Sequence, residues 1–488
     1  MYPDRRAYPT VAQIRAAEAA TGLLAGGVLM SRASGGLASA IINELRADGV
    51  YGRRVGLVIG SGDNGGDALY AGAVLARRGA AVTAVLLDPA KAHASGLAAL
   101  RAAGGRVVTE FGPLDVIVDG VVGIGGSGPL RPTAAALFAA VAQASPDARV
   151  VAVDLPSGVD ADTGVVHDPA VRADLTVTFG LPRRAHVLAA PQCGRVVVVD
   201  IGLGPVDEVA VHALTDVEVG DRWPVPGPSD DKYRQGVVGI VAGSAKYPGA
   251  ALLCSGAAVA ATSGMTRYAG PAAAAVVERY PEVVAVDEPG DAGQVQAWVV
   301  GPGFGTDDAA LERLTAVLAA DVPVLVDADA ITVLARHRRL LEGRTAPTLL
   351  TPHAGEFARL AGAPVGEDRV AAVTACAREL GATVLLKGRA TLIADPAGRV
   401  LVNEAGSSWA ATAGSGDALS GITGALLATG LPADVAAAMG ARAHAVAAEI
   451  AAGDPGAPIG ASALVAAIGD AIRLLRTRAA DAPAAGGI

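Results

Sequence analysis

The sequence predicts an α/β protein of two tandem domains, each built on a largely parallel sheet covered by helices. Three observations predict it. Short Val-, Ile- and Leu-rich runs that end in Gly- and Asp-rich loops alternate with helical patterns, first over residues 54 to 160 and again from residue 236 onward. The chain's 488 residues exceed one ordinary domain. Its composition, 52% apolar but 3% aromatic with 63 glycines, calls for a core of Ala, Val and Leu, which suits helices packed closely over parallel strands.

In the first half, a helix begins at Thr10, whose hydroxyl caps it while Gln13 reaches back; Val11, Ile14 and Ala17 share one face and Arg15 and Glu18 lie on others. A second helical stretch runs through Ile41, Ile42 and Leu45. Residues 54–59 form a strand, followed by the turn Gly60-Ser61-Gly62-Asp63-Asn64-Gly65-Gly66-Asp67 and a helix over 68–78. This is a nucleotide-type βα unit, but two polar pairs interrupt the glycines of the dinucleotide fingerprint. Such residues serve either as turn formers or as the lining of a site. The pattern repeats: strand 81–87, helix 90–103, strand 116–118 ending in Asp119 and the loop Gly123-Ile124-Gly125-Gly126-Ser127-Gly128-Pro129, helix 133–144, and strand 149–153 ending in Asp154-Leu155-Pro156-Ser157-Gly158-Val159-Asp160. Ligands of a parallel sheet bind outside the strands' carboxyl ends, so Asn64, Asp119, Asp154 and Ser157 converge on one edge. Oxygen ligands gathered this way suit a monovalent cation, and Asp154 suits proton exchange with a ligand. Any one of these aspartates, taken alone, is equally well explained as turn chemistry.

These blocks resemble the NAD(P)H-hydrate epimerase domain over about residues 8 to 210, a Rossmann-like fold. The resemblance implies that Asp63, Asn64, Gly65, Gly66, Asp67, Gly123 to Pro129 and Asp154 contact the hydrated nicotinamide dinucleotide, and that Asn64, Asp119 and Ser157 ligate potassium. Family members have a second Asn where Asp63 stands and a Gly where Ala68 stands.

The first domain is expected over 1–215. Acidic residues Asp216, Glu218 and Asp221 followed by Pro224, Pro226 and Pro228 mark a linker over 216–228. A second domain follows over 229–480, and the Ala-, Pro- and Gly-rich end, 481–488, is expected to be disordered. Here strands 236–242, 298–300, 324–326, 348–350 and 383–386 each end in a polar or Gly-rich loop: Gly243 to Ala251, Gly301 to Gly305, Asp327-Ala328-Asp329, Thr351 to Glu356, and Lys387-Gly388. His353, with Thr351 and Glu356 beside it, suits binding as well as simple hydrogen bonding; Lys387 suits phosphate contact but equally a surface position.

The stretch Ala413-Gly414-Ser415-Gly416-Asp417 running into Leu419, Ile422, Ala425 and Leu426 reads as a tight turn opening a helix. A helix start offers free N–H groups and a partial positive charge to a phosphate. Asp417 is then either a helix cap or a base that takes a proton from a hydroxyl beside a phosphoryl group. Taken in order, these blocks resemble the ribokinase-like NAD(P)H-hydrate dehydratases over about residues 225 to 480. That resemblance implies that Ala250, Gly303, His353 and Asp417 touch the hydrate, and that Lys387, Gly388, Arg389, Ala390, Thr391, Gly414, Ser415 and Gly416 hold the adenine nucleotide, ADP with Mg2+. The family's Asn-Pro-Gly-Met approach to the anion turn is replaced by Glu404 to Thr412.

The function expected is therefore repair of hydrated NADH and NADPH, by epimerisation of the R and S hydrates and nucleotide-dependent dehydration of the S form. The alternatives are a small-alcohol kinase of the same fold, and a first domain that senses nucleotides without turnover. A net charge of −9 without clustered Lys and Arg argues against nucleic acid. Cys193, Cys254 and Cys376 are too scattered for a disulfide framework or a zinc site, and the charged stretch 1–20 is no signal peptide, so a cytoplasmic protein is expected. The uncharged run 247–266 reads as a buried helix and not a membrane span. A homo-oligomer is expected.

Overall fold

The computed structural model describes residues 6–47, 49–262 and 264–482. The described residues divide into two compact units: 7–211, and 212–482 together with Arg6. The expectation for 481–488 falls almost wholly outside the described residues.

The first unit holds seven parallel strands in the spatial order Arg106–Val107, Ala81–Leu86, Arg54–Ile59, Val116–Gly120, Arg149–Val153, Leu175–Phe179, Arg195–Val199. Order reverses at Arg54–Ile59, whose sequence successor lies on one side and Val116–Gly120 on the other. The strands are almost continuously apolar because both faces are covered. The Thr10 cap forms as expected: its hydroxyl accepts from the Gln13 N–H while the Gln13 side chain accepts from the Thr10 N–H. One boundary differs. The helix after the first strand runs Asp63–Arg77, so Asp63 to Asp67 are its first turns and not a loop before it. Glycines make this possible, since a Cβ on Gly65 would lie 2.6 Å from the Gly60 carbonyl oxygen.

The second unit carries an eleven-stranded sheet in the order Arg6–Ala7, Val211–Ala213, Val400–Glu404, Ala390–Ala394, Thr383–Leu386, Thr348–Leu350, Val324–Val326, Ala297–Val300, Val237–Val241, Met265–Ala269, Val284–Val286. Strands from Thr383–Leu386 through Val284–Val286 pair in parallel, while Ala390–Ala394 is antiparallel to both its neighbours. Two expectations change here. The run 247–266 is a helix, Pro248–Ala261, followed by the start of the strand Met265–Ala269. Residues 216–221, expected in a linker, form a helix capped by Thr215, whose Val219 and Gly220 are buried; a Cβ on Gly220 would lie 2.1 Å from the Leu475 carbonyl oxygen of the helix Ala461–Ala480. Two of its three acids are paired: Asp216 holds Arg442 and Arg478, and Glu218 holds Arg222. Among the described residues no helix is long and apolar enough to cross a membrane.

Helix Ser415–Ala428 packs on Pro248–Ala261 through glycine. A Cβ on Gly421 would lie 2.2 Å from the Cys254 carbonyl oxygen and 2.8 Å from the Ala257 Cβ, both on the facing helix. Gly421→Ala should cost about 1–3 kcal/mol in the unfolding of this unit. Gly249→Ala, where a Cβ meets nothing within 4 Å, should not; chemical denaturation of both variants checks the difference.

Candidate active sites

In the first unit a cavity of about 840 Å³ opens at the strands' carboxyl ends, at the point where strand order reverses. Asp63, Asn64, Asp67, the loop 123–129, Asp154 and Ser157 line it together with Glu18 and Arg183. Gly65 and Gly66 are absent from its wall and serve packing instead.

Asp119 ends its strand fully buried. It accepts from the Ser157 N–H and hydroxyl, each at 2.7 Å, and from the Val121 N–H at 3.2 Å. Burial pushes its pKa up to about 6. The Asn64 amide donates to the Val153 carbonyl at 2.7 Å, and a Cβ on Gly123 would lie 2.7 Å from the Asn64 Oδ1. Asn64 and Ser157 thus stand at the cavity wall, whereas Asp119 is not part of it and lies behind Ser157, to which it is bonded.

Asp154 has φ +65°, a strained conformation for a residue with a side chain. Its Oδ1 accepts from the Thr178 hydroxyl at 2.8 Å and lies 3.1 Å from the Arg183 Nη2, an ion pair with both partners buried. The His186 Nδ1 accepts from the Arg183 N–H, which assigns the ring proton to Nε2, donated to the Asp154 carbonyl at 2.8 Å. Burial pushes the His186 pKa down to about 4, so the ring stays neutral near pH 7. Asp67 is held well above the usual carboxyl range by burial, with the charges of Asp154, Asp63 and Glu18 adding; its Oδ1 has no hydrogen-bond partner. Burial also raises Glu18, against the opposing charge of Arg183.

Sequence reasoning missed Glu18, Thr178, Arg183 and His186. Glu18 sits on a helix face that reads as solvent-facing. The other three belong to the strand Leu175–Phe179 and the segment after it, an element the sequence reading passed over.

In the second unit the helix Ser415–Ala428 points its N-terminus at the sheet's carboxyl edge. Gly414, at φ +82°, is the N-cap and offers no side-chain cap of its own. Asp417 stands in the first turn, and its pKa is raised to about 7, first by burial, then by Asp327 and Asp329, with Lys387 opposing. The Lys387 ammonium bonds the Asp327 Oδ1 at 2.5 Å and lies 3.3 Å from where a Cβ on Gly416 would be. The His444 Nε2 lies 2.9 Å from both the Ser415 hydroxyl and its carbonyl oxygen. The carbonyl can only accept, so Nε2 bears the proton, and burial holds His444 neutral with its pKa down to about 4.

Other predicted residues divide. Ala250 and Gly303 are neighbours, a Cβ on Gly303 falling 2.7 Å from that of Ala250. His353 caps the helix Ala354–Ala361: its Nδ1 accepts from the Gly355 and Glu356 N–H groups and Glu356 reciprocates. Arg389 donates to the Gly406 carbonyl at 2.8 Å and the Ser408 hydroxyl at 3.2 Å, clamping the approach to the anion turn. Ala390 and Thr391 begin a strand, with the Thr391 hydroxyl donating back to the Gly388 carbonyl at 2.9 Å.

Residues 238–469 match the family model described as NAD(P)H-hydrate dehydratase, and residues 26–185 match the YjeF-related protein N-terminus. The bifunctional NAD(P)H-hydrate repair enzyme of Mycobacterium tuberculosis is 60% identical over 437 residues, 89% of this chain and 91% of its own. The chain belongs to the bifunctional NAD(P)H-hydrate repair enzyme family. Its relative of the same name in Mycobacterium leprae is 57% identical over 477 residues, covering 96% of this chain and 100% of its own. A solved ADP/ATP-dependent NAD(P)H-hydrate dehydratase of Bacillus subtilis, co-crystallised with ATP and Mg2+, is 27% identical, covers 54% of this chain and 98% of its own, and has a TM-score of 0.49.

In this repair enzyme the Arg183–Asp154 pair predicts a large cost for losing the cation. Arg183→Met leaves a buried, uncompensated carboxylate and should destabilise the first unit by about 3–5 kcal/mol, while Arg183→Lys should cost less. Urea unfolding followed by a probe in that unit checks it; an unchanged midpoint for Arg183→Met would contradict the pairing.

Proposed function

We propose that the chain interconverts the R and S hydrates of NADH and NADPH at Asp154, and phosphorylates and dehydrates the S hydrate at Asp417. The observation that carries the reading is Asp417: a carboxyl with its pKa near 7, placed in the first turn of a helix whose glycine-rich start carries no side-chain cap to compete with a phosphate.

The hydrate bears a hydroxyl on a ring carbon beside an electron-rich nitrogen, and hydroxide leaves poorly. Asp417 takes the hydroxyl proton as the oxygen attacks the terminal phosphoryl group of the nucleotide. The N–H groups of Gly414 to Gly416 and the Lys387 ammonium stabilise the charge on the group in transfer. The ring nitrogen's lone pair then expels phosphate, and loss of a proton from the adjacent carbon restores the reduced cofactor. With ADP the products are NAD(P)H, AMP and phosphate. Ala250 and Gly303 give the hydrate a flat floor; Gly388, Arg389, Ala390, Thr391 and His353 shape the site mainly by holding backbone in place.

A phosphorylating site selects one epimer of a stereogenic carbon and strands the other. Asp154, fixed in position by Thr178 and Arg183 at the cavity wall, serves as the acid/base that interconverts them. Asn64, Asp119 and Ser157 fit potassium: their donors are all oxygens, and no cationic side chain pairs with buried Asp119 among the described residues. The ion would supply a fixed positive charge beside the bound dinucleotide. Mg2+ is proposed to arrive on the nucleotide phosphates, since no cluster of three His, Cys, Asp or Glu residues among the described ones holds a metal by itself.

The test is return of reduced-nicotinamide absorbance from a mixture of both NADH-hydrate epimers with ADP, with ATP, or with neither. Full recovery with a nucleotide is expected; recovery that stops when one epimer is consumed would remove the epimerase, and phosphate retained on the product would indicate a kinase. Asp154→Asn should confine recovery to the S epimer. Asp417→Asn should lower dehydration by about 10²–10⁴-fold. Because the base must be ionised, kcat/KM for dehydration should fall as pH drops through about 7 and hold level above it.

A further inference from the structure

Asp327 directly follows the strand Val324–Val326 and is 1% exposed. A carboxylate so buried needs partners for both oxygens, and it has them from two different elements. Its Oδ1 accepts from the Lys387 ammonium at 2.5 Å; its Oδ2 accepts from the Ser420 hydroxyl at 2.7 Å. Lys387 follows the strand Thr383–Leu386, two strands away in the sheet, and Ser420 lies one turn past Asp417 on the helix Ser415–Ala428. One buried group therefore ties the phosphate-facing cation and the helix carrying the base to a single strand end.

We propose that Asp327 is a positioning residue of the dehydratase site, one that aims Lys387 at the anion turn and ties the helix that carries Asp417 to the same strand end. The proposal rests on the reading of Asp417 as the base. The charged and titratable groups facing Asp417 are Asp327 and Asp329 from one strand end, Lys387 from another, and the Cys254 thiol from the helix Pro248–Ala261. Two of these dominate in opposite directions, since Asp327 favours the protonated carboxyl and Lys387 the ionised one. In the native pair they offset each other. Removing Asp327 deletes the like charge and also leaves the Lys387 charge uncompensated, and both changes make Asp417 more acidic. Ser420 carries no charge, so its loss removes a hydrogen bond without altering that balance.

The experiment is the pH dependence of kcat/KM for dehydration of the S hydrate, with ADP varied, for wild type, Asp327→Asn, Ser420→Ala and Lys387→Gln. In Asp327→Asn the acid limb should move to lower pH by about one unit or more, and KM for ADP should rise by about tenfold as Lys387 loses its anchor. In Ser420→Ala the limb should stay where wild type has it. In Lys387→Gln, read at saturating ADP, the limb should move upward. An unmoved limb in an Asp327→Asn protein that still binds ADP overturns the proposal. Should Asp327→Asn fail to fold, an unmoved limb in Lys387→Gln overturns it instead. A wild-type profile with no acid limb would sink the base assignment of Asp417 itself, which separates that failure from this one.

Discussion

The second unit depends on how closely the helix Ser415–Ala428 approaches its neighbours. Gly421 lets it rest on the carbonyl of Cys254, and Gly424 lets it rest on Val299, whose Cγ2 would lie 2.0 Å from an added Cβ. Contact at that range fixes both the tilt and the axial position of the helix, because a displacement large enough to admit one methyl group would break the packing on two sides. The functional consequence lies at the other end of the same rigid rod. The first turn, without a side-chain cap, and the Asp417 carboxyl are held against the sheet's carboxyl edge by packing more than a turn away. The chain's 63 glycines and scarcity of aromatic residues are the compositional trace of this mode of packing, which exchanges large side chains for close backbone approach.

What the sequence made legible follows from how local each signal is. The Thr10–Gln13 cap, the strands Val324–Val326, Thr348–Leu350 and Thr383–Leu386, and the glycine turn that opens the helix before Asp417 are all written within a few adjacent residues, and they lie where the pattern places them. Helix 63–77 began earlier than expected because Gly65 and Gly66 were read as turn residues, whereas their missing side chains serve helix packing. The helix Asp216–Asp221 was obscured by its acids, which read as solvated until Arg442 and Arg478, more than 200 residues on, are placed beside Asp216.

Several residues around the sites gain their role only from a partner distant in sequence. Arg183 gains meaning from Asp154, His444 from Ser415, and Ser420 from Asp327, 93 residues away in sequence. No motif marks them, since an arginine, a histidine and a serine beside ordinary helical neighbours carry no local pattern. Topology brings them in. Parallel strands deliver their carboxyl ends to a common edge, and residues at or just past those ends meet whatever their sequence separation.

The two sites solve the problem of a buried carboxyl in opposite ways, and the difference matches the chemistry proposed for each. Asp154 is compensated: a buried guanidinium and a threonine hydroxyl hold one oxygen, and a strained backbone fixes its direction. That arrangement favours a fixed orientation at the cavity wall, where a proton must be exchanged with one defined ring position. Asp417 has no such partner, since the Lys387 ammonium bonds Asp327, and burial with two neighbouring aspartates raises its pKa to about 7. A group so poised takes a proton as a phosphoryl group transfers and returns it without a large penalty in either direction. Pairing Asp417 directly with Lys387 would have made it a firmer anion but a poorer base, and would have withdrawn the cation from the phosphate. Bonding one Lys387 N–H to Asp327 instead leaves Asp417 unpaired and the ammonium's other donors for the phosphate, as the proposed reaction requires.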